Sequence, residues 1–531
     1  MMGKAQRGLF DWASYAAIAF VSACSALFLR KRADLFHEYN GDVDTFLYQA
    51  WRLLGGHLNY LDHYDSKLPI VPYLYAPSFL TGSFAGHRVI ADLCLLASGF
   101  IIYELTSYIS QHLPSINRRV ASRGGLIAAS LYIFFGTLLP DTAYSGHLFL
   151  FSSLFILSGL LLIARGAREK RRGFIATGGV VLGFAIQTRP NTLFCIAGLV
   201  VAFGATWALC NRDSIRRDQA FRSGRQVLIA SLTGFLGFLL PFLPYAFDES
   251  HRRSAYALSY QLLSMWRRDV FGWDGVAGFI SSMHYLYTPR LFGVEYIFLL
   301  PIPALLISLI VILKAKEKKE LTVLLTSLLG YVSGGGVSYF YSHTFPNYVF
   351  ADLWVFCVLV GSSMAALGSS FCGQLFFRTR AHLILGGSLS LALVLQTFRL
   401  AKQEDSRTFY IPDSLLTDIR GRSFSSPQNY SLYWRLKQQA TTFGAHTHWT
   451  EYANFKIRDK EFLKRYGLTT SLKETCGKYL DPERKYLILF DKEQFICPEL
   501  LIRNWTLKKE YDYRVDAPPT RLYKNNLFLE D

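Results

Sequence analysis

The feature that most constrains this chain is a series of apolar runs, each about as long as a bilayer is thick. A helix needs about 20 mostly apolar residues to cross a hydrocarbon core of about 30 Å, because every backbone amide must find its partner inside the helix there. Candidate runs are Asp11–Leu29, Pro69–Phe84, Val89–Ser110, Gly124–Leu139, His147–Ala164, Gly173–Gln187, Thr192–Leu209, Val227–Phe247, Val294–Leu313, Leu321–Tyr341, Tyr348–Leu367 and His382–Phe398. Of the 531 residues, 51% are hydrophobic and only 18% charged, and mean hydropathy is +0.21, so the bilayer is the expected solvent. The expected fold is an all-α polytopic membrane protein.

The formal charge of +17 is distributed in a way that reads as topology and excludes a nucleic-acid footprint. Arg118, Arg119 and Arg123, then Arg165 to Arg172, Arg212 to Arg225, Lys314 to Lys319, and Arg378 with Arg380 fall at every second connection. The positive-inside rule places these clusters in the cytoplasm. The connections Pro140 to Gly146, Thr188 to Asn191 and Ser342 to Asn347 then face outward and carry only Arg189 between them. With a cytoplasmic N-terminus the scheme closes at about 11 crossings, provided the Pro-rich run Pro69–Phe84 stays juxtamembrane or re-entrant. Arg30, Lys31 and Arg32 are discordant, since they then lie outside. The first run follows Lys4 and Arg7 without a small-residue cleavage site and reads as a retained helix.

Three segments share the outer face in this scheme: the loop Lys31–Leu68, the loop Asp248–Gly293, and the chain from about Ala401 onward. The division is a membrane domain over 1–400 and a more polar outer domain over 401–531. Strand-like Lys485–Phe490 and Arg521–Lys524 make the outer domain a small α/β unit. Of eight cysteines, six lie in or beside apolar runs and none has zinc-ligand spacing. Cys476 and Cys497 fall in the outer domain, where an oxidising compartment permits but does not require their pairing.

The chemistry concentrates in the first outer loop, KRADLFHEYNGDVDTFLYQAWRLLGGHLNYLDHYDSKL. Gly41 with Asp42 or Asp44 can start a helix that Gly55 and Gly56 stop. Phe46, Ala50, Leu53 and Leu54 share one face of it, so it is expected to lie on the membrane surface. Asp44 and Tyr48 stand one turn apart on another side, where the carboxylate can face a cavity. Either aspartate can equally serve as a helix cap.

The order D-x-x-x-Y, A-x-x-L-x-G-G and Y-x-D-H-x-D-x-K-x-P, carried here by Asp44, Tyr48, Ala50, Gly55, Tyr60, Asp62, Asp65, Lys67 and Pro69, resembles the GT-C glycosyltransferases. The loop is similar to the bacterial branch containing lipid A aminoarabinose transferase, the protein O-mannosyltransferases and the rhizobial lipopolysaccharide galacturonosyltransferases. The resemblance is close over the loop and loose along the helices to about Phe398. It implies a GT-C-like fold in the bacterial cytoplasmic membrane, an extracytoplasmic reaction, a sugar donor on a polyprenyl phosphate, and an acceptor that is an envelope glycan, lipid or protein. It also implies that Asp44 activates the acceptor hydroxyl as general base, with inversion at the anomeric carbon. Lys67 is then the first candidate to balance the leaving phosphate, and the alternative is a lysine snorkelling to the headgroups. Tyr48, Asp62 and Asp65 join it as substrate-binding candidates.

Further candidates lie on the same predicted face. Arg189 can hold lipid phosphate or simply anchor its helix end. His343 and Asn347 sit in a turn similar to one in many family members, and Arg290 lies in the aromatic and basic loop Asp248–Gly293. Many members carry a second acid near the start of the fourth helix, where this chain has Tyr144-Ser145-Gly146-His147 with Asp141 just upstream. Asp42, Asp141 or His147 can take that place, which leaves both a second carboxylate and a divalent metal open. Rival classes are a transporter or flippase of a lipid-linked glycan and a non-catalytic binding subunit. A transporter should place charges within spans and show two related halves. Asp92, Glu104, Glu295 and Asp352 are the acids within or beside the runs, and no such symmetry is visible.

Overall fold

A computed structural model describes residues 14–29, 41–57, 68–81, 84–111, 113, 116–138, 146–210, 217–247, 290–291, 294–295, 301–314, 318–339, 348–367, 384, 387–392, 394–395, 413–425, 485–489, 505–511 and 520–526. In chain order the helices are α1 (Ser14–Leu29), α2 (Gly41–Leu54), α3 (Ile70–Tyr75), α4 (Phe84–Gln111), α5 (Arg118–Leu138), α6 (Leu148–Glu169), α7 (Arg172–Thr188), α8 (Thr192–Cys210), α9 (Arg217–Leu239), α10 (Pro301–Lys314), α11 (Lys318–Tyr339), α12 (Tyr348–Leu367) and α13 (Asp413–Ile419). The strands are β1 (Arg290–Leu291), β2 (Val294–Glu295), β3 (Phe424–Ser425), β4 (Tyr486–Leu489), β5 (Trp505–Tyr511) and β6 (Thr520–Asn525).

The chain divides into two compact units. One comprises Met1–Arg32, Arg88–Leu240 and Arg268–Ala401, and the other Ala33–His87, Pro241–Arg267 and Lys402–Asp531. Among the described residues, five helical stretches, lying wholly or mostly in the first unit, are long and apolar enough to cross a membrane: Gly86–Gln111, Arg118–Thr137, Leu148–Glu169, Thr192–Leu209 and Gly224–Ala246. Shorter apolar helical stretches occur at Ser14–Leu29, Thr322–Gly335 and Asp352–Leu367. The expected run Val294–Leu313 begins later than its hydropathy suggests. Val294 and Glu295 pair with Leu291 and Arg290 in an antiparallel hairpin, and α10 starts at Pro301, whose fixed φ suits a first helical position.

Between apolar helices in lipid there is no hydrophobic driving force, so association depends on close backbone approach at small residues. Helices α8 and α11 meet at Gly198 and Gly330, where a Cβ on either would run into the other's carbonyl oxygen. Helices α7 and α9 approach as closely, since a Cβ on Gly183 would run into the Gly234 carbonyl oxygen and one on Gly237 into that of Val180, and Gln187 Nε2 donates to the Phe238 carbonyl. Glu104, an acid within a span, is engaged by the Arg165 guanidinium and the Tyr15 hydroxyl, which ties α4 to α6 and α1.

In the second unit the Pro69–Phe84 run does not form one long helix. It forms α3 followed by a 3-10 turn over Ala76–Thr81, with Pro72 and Pro77 interrupting the backbone ladder. Ile70–Leu80 is 11 residues, about 16 Å of helix at most, which is too short to cross. The C-terminal part packs α13 on a mixed sheet in the order β3-β4-β6-β5. Strands β4, β6 and β5 run antiparallel to their neighbours, and the two-residue β3 joins β4 in parallel. Both strands expected from the sequence are present, while β5 is an addition.

Candidate functional site

Helix α2 begins at Gly41 and ends at Leu54, with Gly55 and Gly56 closing it and Gly56 at φ +82°. Its boundaries match the sequence reading, and Asp42 and Asp44 lie in its first turn. Its surroundings differ from that reading. A helix lying on a membrane would keep one face in water, yet Val43 and every residue from Thr45 to Ala50 are buried, at no more than 2% exposed. Phe46 packs against Tyr75 with ring centroids 5.2 Å apart, Tyr75 stacks on His87, and His87 Nδ1 hydrogen-bonds Ser78 Oγ at 2.9 Å. Tyr48 belongs to a core with Leu415, Ile419, Phe424, Tyr486, Ile488, Tyr511 and Leu522, with Trp51 packed beside it. Helix α2 is therefore gripped on one side by the α3 segment and on another by the C-terminal sheet and α13. Tyr48, expected at the substrate, is 1% exposed in this interior.

Asp62, Asp65, Lys67, Asp141, His343, Asn347, Cys476 and Cys497 lie outside the described residues. Arg290 stands in β1 in register with Glu295 of β2.

The first unit contains a second group of polar residues, gathered near the end of α7 away from Arg172. His147 caps the start of α6. Its Nδ1 accepts from the Phe149 amide at 3.4 Å, its ring stacks on Phe149, and it is 4% exposed. Arg189 closes α7, with its amide donating to the Ala185 carbonyl at 3.0 Å, and its guanidinium carbon lies 5.2 Å from the centroid of Phe149. An interfacial anchor would be solvated, whereas Arg189 is 4% exposed. Cys195 in the first turn of α8, Tyr331 in α11 and Asp352 in α12 complete the group, and Arg189 and Asp352 both lie near enough to act electrostatically on Cys195 and Tyr331. Tyr331 meets Trp354 edge-on at 5.0 Å.

Gly335 makes room in this cluster. A Cβ there would sit 3.1 Å from Cys195 Sγ and 3.9 Å from both Asp352 oxygens. A cation and a carboxylate buried so deeply in a helical bundle are costly unless compensated, and such residues mark functional interiors. Sequence reading singled out Arg189 and His147 as candidates but not Cys195 or Tyr331. Asp352 is visible as an acid five residues into an apolar run, whereas its approach to Cys195 depends on how α8, α11 and α12 pack. Among the described residues, no three or more His, Cys, Asp or Glu side chains gather as a metal-ligand group.

No protein-family model matches the chain, and no curated protein sequence matches it. Solved structures do. The apo crystal structure of the Archaeoglobus fulgidus oligosaccharyltransferase aligns over 97% of this chain and 75% of its own length, with TM-score 0.52 and 10% identity. The same enzyme in complex with Zn and sulfate aligns over 96% and 73%, again with TM-score 0.52 and 10% identity. At that identity the likeness concerns the fold alone, which resembles that of these oligosaccharyltransferase structures and, in this chain, combines long apolar helices with a small C-terminal sheet.

Proposed function

We propose that this chain is a membrane glycosyltransferase that moves a sugar from a polyprenyl-phosphate donor to an extracytoplasmic acceptor, with Asp44 as general base. The observation that supports it most is the double grip on α2 within a GT-C-type fold. A loop helix that merely decorates a membrane surface has no need to be buried on several sides, whereas a helix presenting a base must be held to within about half an ångström. The similar solved structures are of an oligosaccharyltransferase, which agrees with the sequence resemblance in reaction class.

The chemistry follows from one carboxylate. The acceptor hydroxyl gives its proton to Asp44 as its oxygen attacks the anomeric carbon, and the bond from that carbon to the phosphate oxygen breaks with inversion. The electron pair leaves on the lipid phosphate, whose growing charge calls for fixed cations. Lys67 and the buried Arg189 are the candidates for that task. Asp42, Asp62, Asp65, Asp141, His147, Arg290, His343 and Asn347 are proposed at most as sugar contacts or a second acid. Asp44→Asn should abolish transfer from a defined polyprenyl-phosphate sugar by about a hundredfold or more, with insertion and thermal stability unchanged. Full transfer by that variant removes Asp44 from the role.

The transporter reading draws on one observation, the buried Arg189 and Asp352. Both residues lie at helix ends rather than mid-span, and Glu104 is spent on a structural contact between helices. Movement of a lipid-linked glycan across proteoliposomes without transfer would favour that reading.

A further inference from the structure

Helix α3 and the 3-10 turn after it are built inside out for a surface that meets water. From Leu68 to Ala85 the chain carries no Asp, Glu, Lys or Arg. The polar groups here point inward: Ser78 is buried and hydrogen-bonded at 2.9 Å to His87, which is buried too. The exposed positions are Tyr73, Pro77 and Leu80, spaced four and three apart and so on one face, and Leu80 is 88% exposed. A water-facing helix places these classes the other way round, and soluble surfaces rarely show contiguous apolar side chains without a partner.

A second segment repeats the arrangement. The helical stretch Gly224–Ala246 runs from α9 into a 3-10 turn over Leu240–Ala246, and no charged residue occurs between Gln226 and Phe247. Leu232, Leu236, Leu239, Leu243 and Phe247, spaced three or four apart, are all exposed, Phe247 at 86%. The outward stripe of a membrane-length helix thus continues into this turn and past it. Tyr73 lies near enough to Tyr245 to act on it electrostatically, so the two turns are neighbours.

Prolines suit both segments to an apolar medium. Pro69, Pro72 and Pro77 in one, and Pro241 and Pro244 in the other, have no N–H to leave unsatisfied in a short helix. The amides of Val71 and Ala76 donate to the Leu68 and Pro72 carbonyls. A backbone with few orphan donors and an uncharged outer face fits acyl chains better than water.

We infer that Tyr73, Pro77 and Leu80, together with Leu243 and Phe247, form one surface that sinks into a leaflet of the bilayer, with phospholipid acyl chains as its occupant. The opposite side of α3 holds Phe46 of α2 through Tyr75. One short segment therefore ties the candidate base to the membrane and sets its depth, a consequence that rests on the proposed role of Asp44.

The test places nitroxide labels at Leu80→Cys, Phe247→Cys and Lys508→Cys in the full-length protein in phosphatidylcholine nanodiscs, with the labelled parent as background. Collision with oxygen and with a water-soluble nickel chelate reads the depth of each label. Labels at 80 and 247 should favour oxygen and lie about 5–10 Å below the phosphates, while the label at 508, exposed on β5, should favour the chelate. Chelate collision at 80 or 247 equal to that at 508 overturns the inference. Exclusion of both reagents overturns it as well, since another part of the protein or a second copy then covers the face. Slow hydrogen exchange over the buried strand 486–489 reports that each variant is folded, and should Leu80→Cys lose it, Tyr73→Cys takes its place. No reading uses transfer, so a chain inactive with every donor removes the role of Asp44 and leaves the lipid-facing surface intact.

Discussion

Truncating Tyr48 to alanine should release α2 from the C-terminal sheet. The ring is 1% exposed and sits among Leu415, Ile419, Phe424, Tyr486 and Leu522. Removing a buried aromatic side chain of this kind costs about 3–5 kcal/mol. The lower end applies, because part of the contact is with Trp51 on the same helix, at 5.8 Å between centroids, and survives undocking. A loss of about 3 kcal/mol is about a hundredfold in the docking equilibrium, at 1.4 kcal/mol per factor of ten. Hydrogen exchange over 41–54 in the full-length protein should therefore accelerate by up to about a hundredfold. Exchange over 486–489 should rise with it, because the coupling is reciprocal. Transfer should fall in kcat with donor KM little changed, since the base loses its fixed position while the donor cations keep theirs. If exchange over 41–54 stays within about threefold of the parent, Tyr48 does not hold the helix and the argument for a positioned base fails.

Other perturbations test the membrane unit and the sheet. Gly198→Val should force α8 from α11, because its Cβ would meet the Gly330 carbonyl; the expected cost is several kcal/mol, about 3 or more, read as a fall in Tm in detergent. Asp352→Asn should destabilise the bundle by about 3 kcal/mol if it leaves the buried Arg189 charge uncompensated, and adding Arg189→Met should recover part of that loss in a double-mutant cycle. Asp418 is held below the usual carboxylate range by hydrogen bonds from Tyr511 and Lys509. A depressed carboxyl contributes stability above its unfolded value of about 3.9, and that contribution is lost as pH falls through the folded value. Asp418→Asn should thus lower Tm at pH 7, and the deficit should shrink as pH falls below the unfolded value of about 3.9.

Local signals were legible in the sequence wherever a short stretch carried its own cause. Gly41 and Gly55-Gly56 bracket α2 as expected, Pro72 and Pro77 break the α3 segment, and Tyr486–Leu489 and Thr520–Asn525 are strands. What was not legible depends on partners far away in the chain. The side of α2 that carries Tyr48, expected to face a cavity, packs against Phe424 and Tyr486, which arrive about 370 and more residues later, and no periodicity within 41–54 encodes them. Asp352 reads as an isolated acid until α8 and α11 bring Cys195 and Gly335 beside it. Strand β5 carries no such local signal, and the bulge at Lys508 is set by its register with β6.

The separation of Tyr48 from its partners also has a consequence for order of assembly. An isolated 14-residue helix is marginal in water, and α3 supplies only one supporting side. The remaining side is built from residues 415–522, so α2 acquires its full burial only after the last strand has been made. Insertion of the bundle and fixation of the candidate base are therefore separable events, the first driven by apolar length and glycine contacts and the second by the core that α13 and the C-terminal sheet supply. A chain stopped at residue 400 should insert normally, as measured by protease protection of its connections, yet exchange freely over 41–54 and fail to transfer sugar. Normal exchange protection over 41–54 in that shortened chain would show that α3 alone suffices, and the C-terminal sheet would lose its place in holding the base.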